Sequence, residues 1–212
     1  MTEHTPPQTQ PNSASPRHAE VDRVTRETQI SAKINLDGVG HGDVQCEIGF
    51  FAHMLDAFAR HAHVDLQLRI RGDLHIDQHH TVEDTGLVLG SALKLALRER
   101  RGIWRSGHFR FAMDETLAEC AIDLSGRPHL VFKAAFTRDK VGDFSTDLVV
   151  EFFAALTNAL GCNLHLELIR GDNDHHKIEA LFKAFARAFE LAAALHPRAF
   201  AEVPSTKGSL DG

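Results

Sequence analysis

"LHLELIRGDNDHHKIEALFKAF" (residues 164–185) decides the fold, because the chain has already written "LQLRIRGDLHIDQHHTVEDTGL" at residues 66–87. Each copy begins with alternating apolar residues, the period-two pattern of a half-buried strand. Each then passes through Arg-Gly-Asp into a His-His-x-x-Glu box, where apolar residues recur at helical spacing. A strand–box–helix unit repeated in one chain predicts an internal duplication, with two similar halves packed around a shared core.

The unit extends outward in both directions. "RVTRETQISAKINLDG" (23–38) alternates towards an Asp-Gly turn and predicts a strand. "FFAHMLDAFARHA" (50–62) places Phe50, Phe51, Met54, Leu55 and Phe58 at helical spacing, "VDLQLRI" (64–70) is a strand, and a helix runs from His79 to about Arg100. The second half has strands in "HFRFAMDE", "LAECAIDL" and "PHLVFKAAF", a helix through Leu148, Phe152 and Leu156, a strand in "NLHLELI", and a helix from Lys177 to Leu195. The expected class is therefore α+β, with halves at about 23–103 and 104–202. Residues 1–22, rich in Pro, Gln, Ser and Thr, form an expected flexible tail. Superposing the halves aligns His53 with Glu151.

Composition narrows the function. In 212 residues, 43% are hydrophobic, which is enough for a substantial core. A formal charge of −6 excludes a general nucleic-acid or membrane-surface binder and makes any anion site local. Three cysteines without CxxC spacing argue against a disulfide framework and favour a reducing cytoplasm. The first residues lack the apolar segment of a secretory leader, and no apolar run reaches the roughly 18 residues of a membrane span. The fifteen histidines are scattered and do not form a tag.

Residues four apart on a helix differ by about 40° in direction, whereas neighbours diverge by about 100°. His79 and Glu83 therefore share a face, as do His175 and Glu179, while the adjacent His80 and His176 point elsewhere and suit separate ions. Asp77 or Asp174 would suffice to cap each helix, so capping does not explain two histidines and a glutamate appearing twice. With His53 and Glu151 added, the donors are enough for two ions with four protein ligands each. Nitrogen and oxygen donors without thiolate suit Mn, Fe or Zn, and an open octahedral site favours Mn.

These stretches, together with "GFFAHMLDAFARHAHVDL", "GIWRSGHFRFAMDETLAECAIDLSGRPHL" and the terminal "PSTKG", resemble the imidazoleglycerol-phosphate dehydratases of histidine biosynthesis from about Arg23 to Leu210. The resemblance implies a fold like the second domain of ribosomal protein S5, two Mn(2+) ions per active site, and a homo-oligomeric shell of twenty-four subunits. Its implied metal ligands are His53, His79, His80, Glu83, Glu151, His175, His176 and Glu179. Glu151 stands where several relatives have histidine. The resemblance also gives Glu27 as acid/base, with His53, His80, Glu83 and His176 as further catalytic groups. Arg105, Arg127, Ser205 and Lys207 would hold the phosphate. His53, His61, His79, His175 and Lys177 would complete the substrate contacts, and residues 203–212 would close over the substrate. His165 is expected to be a packed histidine, and Arg98 and Arg187, with the other helix charges, surface.

The implied reaction converts imidazoleglycerol phosphate to imidazole acetol phosphate. An imidazole bound by metal through both nitrogens can lose its N–H proton near neutral pH and push out the neighbouring hydroxyl. Two rivals remain at this stage: a non-catalytic metal-binding shell, which has no use for Glu27 and the phosphate contacts, and a dinuclear phosphohydrolase, which favours Asp-rich ligand sets.

Overall fold

A computed structural model describes residues 16–199 and 202–210. The first half contains β1 (His18–Val24), β2 (Thr28–Asn35), β3 (Gly42–Gln45), α1 (Gly49–Ala62), β4 (Asp65–Gly72) and α2 (His79–Leu97). The second contains β5 (Ser106–Met113), β6 (Thr116–Asp123), β7 (His129–Lys133), a short β8 (Lys140–Val141) and β9 (Phe144–Ser145) pair, α3 (Leu148–Leu160), β10 (Asn163–Arg170) and α4 (Asp174–Ala193).

The duplication is complete at the level of topology. The four-stranded sheets run β1-β2-β4-β3 and β5-β6-β10-β7. In each, the first two pairings are antiparallel, and the short strand before the first helix lies parallel at the edge. The first helices of the halves both end in a left-handed residue, His63 and Gly161. The second copy carries one extra residue, and the β6–β10 register shifts between Leu168 and Arg170, where a bulge absorbs it.

Four helices fill the space between the sheets. α2 lies on β1 and β2, α4 lies on β5 and β6, and the pairs α1–α4 and α2–α3 join the halves. A Cβ on Gly86 would stand 2.6 Å from the Phe152 carbonyl, and one on Gly90 2.6 Å from the Leu156 carbonyl. These glycines set the close approach of α2 and α3, and the matching order of contacts makes the two helices parallel. Across the other seam Phe58 of α1 stacks on Phe185 of α4 at 5.5 Å, and within the second half Phe153 of α3 meets Phe182 of α4 at 4.9 Å. Each such buried ring contributes about 1.5–3 kcal/mol relative to exposure.

Three sequence expectations change. Residues 18–22, assigned to the tail, form most of β1 and pair along β2. Arg17 pins this start by an ion pair to Asp37 and a bond to the Ala193 carbonyl. The remainder of the expected tail, residues 1–15, lies outside the described residues. β3, a four-residue edge strand, was not anticipated. His165 is exposed on the outer face of β10, with its ring 6.5 Å from His129, because alternation turns it away from Leu164 and Leu166 in the core.

Candidate functional site

The helix pairing brings the boxes to their partners. His175 and Glu179 lie one turn apart on α4, and α1 delivers His53 to them. The Glu179 carboxylate reaches His175 Nε2 at 3.1 Å and His53 Nε2 at 3.7 Å. Donor atoms of these three residues all lie within 4.8 Å of one another, and this is the one such metal-type group among the described residues. Glu179 is only 5% exposed, and Lys183 Nζ occupies its other oxygen at 2.5 Å. Burial acts to raise the Glu179 carboxyl, but the Lys183 hydrogen bond and charge, followed by His53 and His175, hold it below the ordinary value. Sequence reading left Lys183 among the surface charges; its i, i+4 spacing from Glu179 was the available signal.

The first half offers the matching arrangement in a looser form. His79 Nε2 and Glu83 stand 3.7 Å apart on α2. Glu151, half-buried in the first turn of α3, occupies the position equivalent to His53. It does not close with His79 and Glu83 to the separation of the other group.

The second histidine of each box turns to a carboxylate. His80 Nδ1 lies 3.1 Å from Asp73 and 3.9 Å from Glu27, and its pKa is raised by the Asp73 hydrogen bond first and by Glu27 nearby. His176 Nδ1 lies 2.9 Å from Glu115, which raises its pKa likewise. Glu27 is 54% exposed. Its turn is held by Thr25 Oγ1, which accepts the N–H groups of Glu27 and Thr28, and by Thr28 Oγ1, which donates to Asp84 on α2 at 2.5 Å.

The expected caps also change. α2 has Gln78 at its N-cap, with Asp77 one residue earlier accepting the His79 N–H at 2.8 Å, and α4 is capped by Asn173, which accepts the His175 N–H at 2.9 Å. Asp174 instead turns inward at 1% exposure and pairs with Lys177 Nζ at 2.7 Å. Lys177, expected at the substrate, is therefore a core residue at 4% exposure. It lies about 200° around the helix from His175, on the buried side. Burial would raise the Asp174 carboxyl from 3.8, but the Lys177 bond and the Arg138 and Thr137 donors together bring it down to about 2. A pKa depressed on folding contributes stability above the unfolded value, and that stability is lost as pH falls through the folded value. Asp174→Asn should thus lower unfolding stability by about 3–5 kcal/mol at neutral pH. In denaturant titrations the difference from the parent should shrink only between about pH 4 and pH 2.

The expected phosphate contacts lie on the second half. Arg105, left-handed at φ 72°, makes a two-pronged ion pair with Asp123 at 2.7 and 3.0 Å and donates to the Pro204 carbonyl at 2.7 Å. The C-terminal segment is thereby laid along its own chain: Gly102 donates to the Glu202 carbonyl, and Leu210 is 8% exposed beside Gly126. Ser205 Oγ accepts the Lys207 N–H, and the Lys207 and Arg127 side chains are exposed. His61, half-buried against Phe111 at 5.5 Å, has its pKa lowered by burial and by Lys183 and Arg187. A cavity of about 880 Å³ lies on the outer face of the first sheet beside Gln29, Ser31, Arg69 and Arg71. None of the box histidines lines it. Their side chains stand on open surface.

Fold and site together define a duplicated α+β protein whose second helix in each half presents a histidine–glutamate pair, with an acidic partner for the adjoining histidine, and whose α1 closes one of these pairs into a three-donor group. The sequence model described as imidazoleglycerol-phosphate dehydratase matches residues 46–189. An enzyme of that description from Cereibacter sphaeroides is 54% identical over 92% of this chain and all of its own length. One from Lachnoclostridium phytofermentans is 50% identical over 92% of this chain and 99% of its own. Among solved structures, the Staphylococcus aureus dehydratase superposes with a TM-score of 0.75 at 38% identity, covering 84% of this chain and 98% of that one. The Pyrococcus furiosus protein, solved in complex with (S)-C348, gives 0.77 at 31% identity, covering 89% and 99%. The chain belongs to the imidazoleglycerol-phosphate dehydratase family and is a hydro-lyase.

Proposed function

We propose that the chain removes water from imidazoleglycerol phosphate to give imidazole acetol phosphate, a step of histidine biosynthesis, and that it does so with Mn(2+) held by its two histidine–glutamate clusters. The observation that supports the metal reading is the His53–His175–Glu179 convergence, in which a buried carboxylate aims one oxygen at two imidazoles. That mixture of nitrogen and oxygen donors, without thiolate, fits a borderline-to-hard divalent ion. His53, His79, His80, Glu83, Glu151, His175, His176 and Glu179 would be the ligands. Held there, such ions would supply Lewis-acid chemistry that favours loss of the ring proton and stabilises the charge developing as hydroxide leaves.

The protein's own groups supply the remainder. Glu27, exposed and 3.9 Å from His80, takes the carbon-bound proton and returns a proton as the enol becomes the ketone. Arg105 and Arg127 with Ser205 and Lys207 hold the phosphate, while His61 and the box histidines line the ring's approach. These groups are only partly covered within one chain; following the family resemblance, the site would be completed by neighbouring copies in a homo-oligomer of twenty-four subunits, and the enzyme would work in the cytoplasm. No helix among the described residues is long and apolar enough to cross a membrane.

Metal analysis with a turnover assay tests the reading. Ketone must appear without release of inorganic phosphate; phosphate as the product would point to a phosphohydrolase, and bound manganese with no turnover to a storage shell. Removing residues 203–212 deletes the Pro204 carbonyl that Arg105 holds, together with Ser205 and Lys207. The Michaelis constant should rise about 10- to 100-fold, the worth of one or two charge-assisted hydrogen bonds. An unchanged value in steady-state assays would remove the closing role from this segment.

A further inference from the structure

The duplication repeats one more pair that the reaction does not use symmetrically. Glu27 stands in the turn just before Thr28 opens β2, and Glu115 in the turn just before Thr116 opens β6. The two glutamates are topological twins, each beside the second histidine of its half. Asp73 and Asp172, which follow β4 and β10, are a second pair of twins. Yet the partnerships cross over. In the first half Asp73 takes His80 Nδ1, at 3.1 and 3.3 Å, and Glu27 stays at 3.9 Å. In the second half Glu115 takes His176 Nδ1 at 2.9 Å. Its other oxygen accepts the backbone N–H of Asn173 at 2.9 Å and of Asp172 at 3.2 Å, so both oxygens are committed. Asp172 is left exposed.

The cause is local geometry. The extra residue at the β10 bulge displaces Asp172 relative to its twin, and the connection to α4 is shorter than the one spanning Asp73 to His79. His80 is carried back over the end of its own strand; His176 is carried over the start of β6. A carboxylate on Nδ1 fixes the tautomer with its proton there, leaving the Nε2 lone pair for an ion.

We infer that Asp73 and Glu115 are the positioning residues for His80 and His176, and that this exchange of carboxylates between the halves frees Glu27, and not its twin Glu115, for proton transfer. The inference rests on the reading of His80 and His176 as metal ligands.

The test is chelator competition on the metal-loaded, full-length protein. Glu115→Gln preserves an oxygen for the Asn173 and Asp172 N–H groups but presents an amide to the ring. Its manganese dissociation constant should rise about 10- to 100-fold, with the melting temperature of the metal-stripped chain unchanged. Asp73→Asn should behave the same way in the other half and supplies the reading if Glu115→Gln does not fold. Glu27→Gln should bind manganese as tightly as the parent. A lowered melting temperature with unaltered manganese affinity in both positioning variants would reduce Asp73 and Glu115 to loop anchors and overturn the inference. His176→Ala separates the levels. If it keeps its manganese, the ligand reading falls and the inference with it; if it loses manganese while both positioning variants bind normally, the inference alone falls.

Discussion

Glu179→Gln should strip manganese from the enzyme and lower kcat by at least about a thousandfold, near 4 kcal/mol of transition-state stabilisation. The substitution hardly changes the shape of the side chain. Its effect is on charge: the Glu179 carboxylate is the one anion in the group it forms with His53 and His175, and it is buried where solvent cannot replace it. An amide would leave Lys183, now 2.5 Å away, as an unbalanced cation beside two imidazoles, which further repels a divalent ion. Metal content by elemental analysis and turnover would be measured on the same sample. Full metal content with full activity would remove Glu179 from the ligand set. Full metal content with lost activity would assign it to the proton path instead.

What the sequence disclosed depended on whether the signal was periodic. The duplication was legible because strand alternation, the Arg-Gly-Asp exit and the His-His-x-x-Glu box recur in the same order, and the two sheets share one strand order as a result. β1 was not: its outward residues are His18, Glu20 and Asp22, so a half-exposed edge strand resembled a polar tail. β3, with four residues, is too short to show a period. Lys177 was expected at the substrate from the resemblance, but a helix turns neighbouring residues to different sides, and the fold buries it with Asp174. The role of Glu115 comes from a contact across elements, reaching His176 from the turn before β6, whereas Lys183 meets Glu179 one turn along the same helix. For Glu115 the alignment of "ET" at residues 27–28 with "ET" at 115–116 was the signal available beforehand.

Duplication also explains how one chain can carry two similar donor clusters with different duties. The cluster on α1 and α4 is drawn together around a buried carboxylate, whereas the one on α2 has its histidine and glutamate 3.7 Å apart and side chains 43% and 47% exposed. A tight cluster holds an ion with little reorganisation; an open one has room for a substrate group or for donors from an adjoining copy. The aspartate that braces the open half, Asp84, binds Thr28 and Arg23 from beneath and so ties the turn carrying Glu27 to the helix that bears Glu83. On the proposed reading, the looser half is the one in which a proton-transfer group, Glu27, is held near the histidines without being consumed by them.

That arrangement sets the expectation for Glu27→Gln: kcat lower by about 10²- to 10⁴-fold, with metal content intact. Glu27 contributes little to the fold, since its side chain is more than half exposed and its turn is fixed by Thr25 and Thr28. Loss of activity could therefore not be blamed on unfolding. Its distance from His80, 3.9 Å, is too long for a committed hydrogen bond and short enough to reach a substrate lying between them. Glutamine fills the same space but can neither accept nor return a proton, so the Michaelis constant should move far less than kcat. Steady-state kinetics beside metal analysis would show this split. An active Glu27→Gln enzyme would transfer the proton step to the metal-site histidines and break the link drawn between the free carboxylate of the first half and catalysis.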